Sequence, residues 1–252
     1  MSAEYKSVFL TGASSGIGEE LSKWFAARHL KVFAAARRLD RLEALAASTP
    51  NIVPVQLDVT DLEATRAVMH RIDDEVGGLD LVIANAGVGG TTSVRRPMWE
   101  ETESLLRVNV NGAANTLLAL LPRMVQRKRG HIAGVASLAG VRGFPGFAGY
   151  CGSKSFLAKF MESLRLDLRG SGVLATTIDP GWVKSEMTAK NAFRMPFLME
   201  TQDAANLVGQ ALLEGQGRIL FPWQVALGAR VLAVLPASLY ERASPGQKRF
   251  TS

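Results

Sequence analysis

The sequence predicts a single α/β domain: a doubly wound parallel sheet with helices on both faces. Two observations carry this. Six short apolar runs alternate with longer segments of helical period, and the first run feeds straight into a glycine-rich turn that opens a helix. Parallel strands need crossover connections, and right-handed crossovers cover both faces of the sheet.

Taken in order, the strands are Ser7–Leu10, Lys31–Ala36, Ile52–Leu57, Leu81–Ala84, Ile132–Val135 and Leu174–Ile178. Each is short and apolar enough to be buried on both faces, and ligands of such a sheet sit beyond the carboxyl ends of the strands. No Pro/Gly/Ser-rich linker, composition break or repeat interrupts residues 1–221, so they read as one domain containing a loop at about 182–200. Residues 222–252 form an apolar extension, part of the same domain or of a subunit interface.

Composition excludes several classes. Of the 252 residues 47% are hydrophobic and 21% charged, which argues against disorder and against a fibrous repeat. The one cysteine, Cys151, cannot close an internal disulfide, and no Cys/His spacing suggests zinc, so no metal is expected. Met1–Lys6 lacks the basic region of a secretory leader, which points to a cytoplasmic protein. The net charge of +6 is scattered along the chain, and the tightest basic group, Arg123, Arg127, Lys128 and Arg129, falls at a helix end where cations oppose the macrodipole. No nucleic-acid partner is expected. The apolar tail is broken by Pro222, Gln224, Arg230 and Pro236, so it is not expected to span a bilayer. Roofing a pocket, burial between subunits and contact with a membrane surface remain open for it, in that order.

The turn after the first strand reads Thr11-Gly12-Ala13-Ser14-Ser15-Gly16-Ile17-Gly18. Glycines let the backbone turn sharply and approach a pyrophosphate, while the helix that follows presents free N–H groups. With this loop the sheet reads as Rossmann-like, although three residues rather than one separate the first two glycines. The second strand ends at Ala36 followed by Arg37 and Arg38, where an NAD site would place an acid against the ribose 2′-hydroxyl. Two guanidiniums suit a 2′-phosphate instead. The expected cofactor is NADP(H), with NAD(H) less favoured; the bland alternative is that the arginines merely start the next helix.

Beyond the cradle stand Asn85-Ala86-Gly87, Asn109, Ser137 and Tyr150-Cys151-Gly152-Ser153-Lys154. Combined with Thr-Gly-x-x-x-Gly-x-Gly in this order over residues 7–185, the set resembles the short-chain dehydrogenase/reductase family. The chemistry is also readable from the residues. Tyr150 and Lys154 lie four apart and share a helix face. A free tyrosine titrates near 10, so bringing it about three units lower takes roughly 4 kcal/mol, much of which an adjacent ammonium could supply. Tyr150 would then act as general acid or base, and Ser137 would donate a hydrogen bond to the substrate oxygen. The resemblance implies that Asn109 supports a water chain to Lys154 and that Lys154 holds the nicotinamide ribose hydroxyls. It further implies that Asp58 and Val59 lie beside the adenine, that Asn85, Ala86 and Gly87 lie near the adenosine ribose, and that Pro180, Gly181, Val183 and Ser185 cover the carboxamide. Asp58 could alternatively cap a helix near Thr60 and Asp61.

Residues 138–147 and 182–199 should flank the reacting carbon. Phe144, Phe147, Trp182, Met187, Phe193, Met195, Phe197 and Met199 would make a hydrophobic lid over a hydrophobic carbonyl or alcohol substrate, unless they simply pack on the sheet. A homodimer or homotetramer is expected from the resemblance. A catalytically idle NADP(H)-binding sensor is the alternative function.

Overall fold

The computed structural model describes residues 5–92, 98–190 and 194–244. Seven parallel strands form one sheet: β1 (Ser7–Thr11), β2 (Lys31–Ala36), β3 (Ile52–Gln56), β4 (Leu81–Ala84), β5 (Gly130–Val135), β6 (Val173–Pro180) and β7 (Arg218–Phe221). Their order across the sheet is β3-β2-β1-β4-β5-β6-β7, so the direction of winding reverses between β1 and β4. That reversal opens a crevice at the carboxyl ends of β1 and β4, where the glycine turn also lies.

The strands hold the sheet's two-sided burial because alternate residues serve opposite layers. Val8, Leu10, Val32, Leu81, Ile83 and Ile178 pack with Leu21, Trp24 and Phe25 on one face. Phe9, Phe33, Val82, Ile132 and Ala175 pack with Met69, Ile72, Leu117 and Met161 on the other. The first layer is built on α1 (Gly16–Ala26) and α8 (Thr201–Leu213), which touch closely because Gly209 lies on the Trp24 ring: a Cβ there would come within 2.4 Å of it. The second layer uses α3 (Leu62–Glu75), α5 (Ala113–Leu118) and α7 (Ala148–Asp167). α2 (Leu39–Ser48) links β2 to β3, α4 (Trp99–Leu106) leads through a π-helical turn into α5, and α6 (Leu121–Gln126) follows.

Two sheet features depart from the sequence reading. Strand β6 runs two residues past Ile178, because Asp179 and Pro180 pair with Leu220 and Phe221. Their partner β7 was not among the six predicted strands: its four residues emerge from a polar Gly215-Gln216-Gly217 turn, too short for a period to show. The basic group at 123–129 lies at the end of α6 as expected, with Arg123 in its last turn and Arg127 at its C-cap, and is paired with acids as well. Arg127 donates to Asp73 at 2.8 Å and to the Leu79 carbonyl at 2.7 Å, and Arg123 reaches Asp74 at 2.6 Å. Neutralisation by the acids at the end of α3 holds these arginines.

The extension forms α9 (Trp223–Val234) and α10 (Ala237–Ala243). Ala226 and Ala229 bury against Leu138 and Val141, and Arg142 donates from its Nε to the Leu232 carbonyl at 2.8 Å. Tyr240 adds a hydrogen bond to the Gly143 carbonyl at 2.7 Å. The opposite face of α9 leaves Trp223, Leu227, Val231 and Val234 exposed. Among the described residues no helix is long and apolar enough to cross a membrane.

Candidate active site

The glycine turn is fixed from below by β4. Gly12 (φ +69°) and Gly16 (φ +59°) occupy the left-handed region that other residues avoid. Gly18 has another reason: a Cβ there would sit 2.3 Å from the Gly12 carbonyl oxygen and 2.5 Å from Asn85 Nδ2. Asn85 Nδ2 donates to the carbonyls of Thr11 (2.9 Å) and Gly12 (3.2 Å), and Thr11 Oγ1 accepts from the amides of Asn85 and Ala86 (3.1 Å each). The Thr11 hydroxyl and the Asn85 amide therefore hold the cradle's shape from within. Ser15, in extended backbone, starts α1 without a side-chain cap, so the first amides of α1 are not taken by a capping oxygen. Ile17 packs back on the core.

At the end of β2, Ala36 gives way to Arg37 and Arg38, which diverge. Arg37 is exposed and lends positive charge to Asp58. Arg38 folds over the cradle, its Nε donating to Ser14 Oγ at 3.1 Å and its Nη2 to Ser15 Oγ at 2.8 Å. It also stands at the start of α2, so the bland and the functional readings of this residue are compatible. Asp58 does not cap α3; Asp61 does, accepting from the Ala64 amide at 2.9 Å. The Asp58 carboxylate instead accepts from the Thr60 amide and hydroxyl, both at 2.9 Å. Burial alone would raise its pKa, but those two bonds and the charges of Arg37 and Arg107 hold it below the usual carboxylate range. Val59 is buried, close enough to Gly112 that a Cβ there would meet it at 2.5 Å.

Four predicted catalytic residues converge at the carboxyl end of β5. The turn Leu138–Gly140 lies against α7 because Gly140 lacks a side chain: a Cβ would come within 2.8 Å of the Lys154 backbone. That approach sets Ser137 beside Tyr150, near enough for its hydroxyl to act on the phenol. Ser137 Oγ accepts from the Ala139 amide at 3.1 Å and donates to the Pro180 carbonyl at 3.4 Å. One turn along α7, Lys154 is 5% exposed, with its Nζ donating to the Val135 carbonyl at 2.8 Å and lying 5.9 Å from the Tyr150 ring centre. Asn109 sits in the π-helical turn Arg107–Gly112, fully buried; its side chain clasps both polar groups of Val88 (2.8 and 3.0 Å) and donates to Ser153 Oγ at 3.1 Å. Gly87 separates the two: a Cβ there would lie 3.3 Å from Asn109 Oδ1 and 3.4 Å from Lys154 Nζ.

The electrostatics differ from the expectation in one respect. Burial pushes the Tyr150 phenol up, and the nearby Ser137 hydroxyl only partly opposes that. Burial also brings Lys154 down to about 8, against the pull of the Asp179 carboxylate. The protein's own groups therefore do not depress the phenol's pKa, because both members of the pair are taken out of water together.

Of the segments expected to flank the reacting carbon, 182–199 is pinned at its two described ends. Val183 and Met199 form a β-bridge, with Met199 packed on the core. Gly181 donates to the Phe221 carbonyl at 2.7 Å, which ties the Pro180–Ser185 stretch to β7. Ser185 lies over Gly16 and Met187 over Gly89, while Phe197 is more than half exposed. Phe193 lies outside the described residues. Cys151 is buried. Among the described residues no cluster of three His, Cys, Asp or Glu side chains is arranged to hold a metal.

Sequence reasoning missed three charged residues here. Asp179 is a buried acid at the end of β6 with one oxygen bonded to Arg218 Nε at 2.8 Å and the other without a hydrogen-bond partner. Arg41 and Glu186 pair at the mouth of the cradle. Arg41 follows Arg38 by three residues, a helical spacing that could have joined it to the arginine pair; nothing local marks Asp179 or Glu186.

The family model described as short chain dehydrogenase matches residues 6–194. An oxidoreductase of Myxococcus xanthus without an assigned substrate is 53% identical over 95% of this chain and 96% of its own length. The closed form of a serine dehydrogenase complexed with NADP+ superposes with a TM-score of 0.78 at 28% identity, covering 86% of this chain and 95% of that one. A short chain dehydrogenase/reductase from Burkholderia phymatum in complex with NAD shares the fold, with a TM-score of 0.83 at 22% identity over 97% of each chain.

Proposed function

Because this chain belongs to the short-chain dehydrogenase family and is an oxidoreductase that uses a nicotinamide cofactor, we propose that it prefers NADP(H) and moves hydride between the nicotinamide and a carbonyl or secondary alcohol carbon, with Tyr150 handling the proton. The observation that carries this reading is the placing of Lys154 Nζ 5.9 Å from the Tyr150 ring and against Gly87 of the crevice, with both side chains on one helix at the carboxyl end of β5, where Ser137 follows the strand.

The bound cofactor supplies the hydride acceptor or donor. In the reducing direction Tyr150 Oη gives its proton to the substrate oxygen as hydride reaches the carbon, and in the oxidising direction it takes the proton back. Ser137 donates a hydrogen bond to the same oxygen, where negative charge gathers. Lys154 supplies positive charge beneath the phenol and donors for the nicotinamide ribose hydroxyls. Asn109, whose amide is committed to Val88 and Ser153, braces the loop next to Lys154 and supports a water path to it. Because burial raises Tyr150, the positive charge of the oxidised nicotinamide is the further influence that makes it a usable base.

The glycine turn with Ser14 and Ser15 would cradle the diphosphate, and Asp58, Val59 and the Asn85–Gly87 stretch would line the adenosine side. Residues from Pro180 to Ser185 would close over the carboxamide. Arg38, held on the cradle, and Arg37 beside it support the 2′-phosphate preference. Phe144, Phe147, Trp182 and Met187, from the segments expected to flank the reacting carbon, would favour a hydrophobic substrate. We further propose a cytoplasmic protein without a nucleic-acid partner, working as a homodimer or homotetramer. The NADP(H)-sensor alternative is not favoured, since the three groups that chemistry requires are both present and assembled.

A stopped-flow screen of NADPH oxidation with ketones, aldehydes, quinones and 3-ketoacyl thioesters tests the reading. Turnover, highest for apolar ketones, is expected; silence across the panel with tight NADPH binding would favour the sensor. Combining Ala36→Asp with Arg37→Ala should move preference toward NADH, and an unaltered NADPH preference would refute the reading of Ala36 and Arg37 as its determinants.

A further inference from the structure

Glu186 stands next to Ser185 and places its carboxylate between two guanidiniums: Oε2 accepts from Arg38 Nη1 at 3.0 Å, and Oε1 accepts from Arg41 Nη1. The edges of Arg38 are divided. Its Nε and Nη2 are spent on Ser14 and Ser15, which leaves Nη1 as the edge that faces an anion, and Glu186 takes it. Arg41, on the first turn of α2, brings its charge to the same carboxylate. Both hydrogen bonds hold Glu186 below its ordinary carboxylate range.

An exposed ion pair usually contributes little, because two long side chains must be ordered to make it. Here the backbone is already ordered. Ser185 rests over Gly16, its amide donates to Thr188 Oγ1 at 2.9 Å, and that hydroxyl donates to the Val183 carbonyl at 2.8 Å. On the other side Met187 rests over Gly89. The strap from Ser185 to Met187 thus spans from the glycine turn to the loop after β4 with Glu186 at its middle, aimed at the arginines. Beside them, between α1 and α2, lies a cleft of about 320 Å³ lined by Ser14, Lys23 and Arg41 among others.

We propose that Glu186 is an internal competitor for the cofactor's 2′-phosphate: its carboxylate holds the free edge of Arg38 together with Arg41, and the phosphate must displace it from both. Arg41 is accordingly a third phosphate ligand, and Glu186 a specificity-determining residue that narrows the margin by which NADP(H) is preferred over NAD(H). Displacement also releases the charged tie between this strap and the start of α2, so recognition of the phosphate is felt in the segment that carries Ser185 and Met187. This inference rests on the NADP(H) reading above.

Calorimetric titration with adenosine 2′,5′-bisphosphate and, as control, 5′-AMP tests it without recourse to turnover. The wild-type protein should bind the bisphosphate more tightly than 5′-AMP; equal affinities would sink both the NADP(H) reading and this inference. Glu186→Gln should tighten the bisphosphate by about two- to fivefold and leave 5′-AMP unchanged. Arg41→Gln should weaken the bisphosphate by about tenfold, again without effect on 5′-AMP. If the wild-type protein discriminates as expected but Glu186→Gln leaves the bisphosphate unchanged or weakens it, the carboxylate positions the arginines rather than competing, and the inference alone falls.

Discussion

The two ends of the sheet bury polar groups in opposite ways. At the amino end the buried groups are matched. His131 sits between Tyr5 Oη and Thr176 Oγ1, each at 2.8 Å, and Thr176 spends its own proton on the Gln216 carbonyl, so His131 Nε2 donates and Nδ1 accepts. Asp80 accepts from the Lys6 and Ser7 amides (2.9 and 3.1 Å), and Asp73 accepts from Arg127 and from the Leu79 amide. At the carboxyl end the matching is incomplete: Lys154 has a carbonyl for its ammonium rather than a carboxylate, and the two buried side-chain oxygens without partners, on Asp179 and Gln224, are both found there among the described residues. Burying an uncompensated polar group costs free energy, so a fold retains it where it performs chemistry or holds a ligand. The amino end is built for stability, and the carboxyl end gives some up.

Replacing Lys154 with methionine should separate the two roles most widely. Activity is expected to fall about a thousandfold. The thermal midpoint at pH 7 should hold or rise, because a buried ammonium is replaced by an apolar chain of similar volume. A large loss of stability would mean that Lys154 is a structural residue and that the two ends do not differ as described.

A smaller effect is expected at the amino end, with the opposite signature. Burial brings His131 down to about 4 from its ordinary 6.5. Between those values the unfolded chain binds more protons than the folded one, so stability falls as pH drops from 6.5 to 4 and is flat in this respect above 6.5. The window corresponds to about 3 kcal/mol. Denaturant titrations across it should show His131→Gln losing less stability on acidification than the wild-type protein, with kcat at neutral pH unchanged. Parallel slopes would place the histidine outside the acid response.

How much of this was legible from the sequence follows the same division. Strands β1 to β6 were readable because each carries a short, largely apolar run, most of it buried. The cradle was readable because Gly12 and Gly16 need positive φ, a requirement that leaves a trace in residue type. Tyr150 and Lys154 were readable because they are local to one helix. What escaped depends on distant partners. β7 acquires its identity only by pairing with β6, the π-helical turn at Asn109 has no sequence period of its own, and Glu186 meets Arg38 across 148 positions of chain. The expected lowering of the Tyr150 pKa came from spacing alone, and spacing does not report that burial acts on the phenol and the ammonium at once.

The account depends most on the Tyr150 phenol as the proton carrier, and single-turnover reduction of a carbonyl substrate by prebound NADPH tests it directly. With Tyr150→Phe the nicotinamide absorbance should decay at least about a hundredfold more slowly than in the wild-type protein, while NADPH affinity stays the same. A decay within a few-fold of the wild-type rate would contradict the assignment and return the search for the proton donor to Ser137 and Lys154.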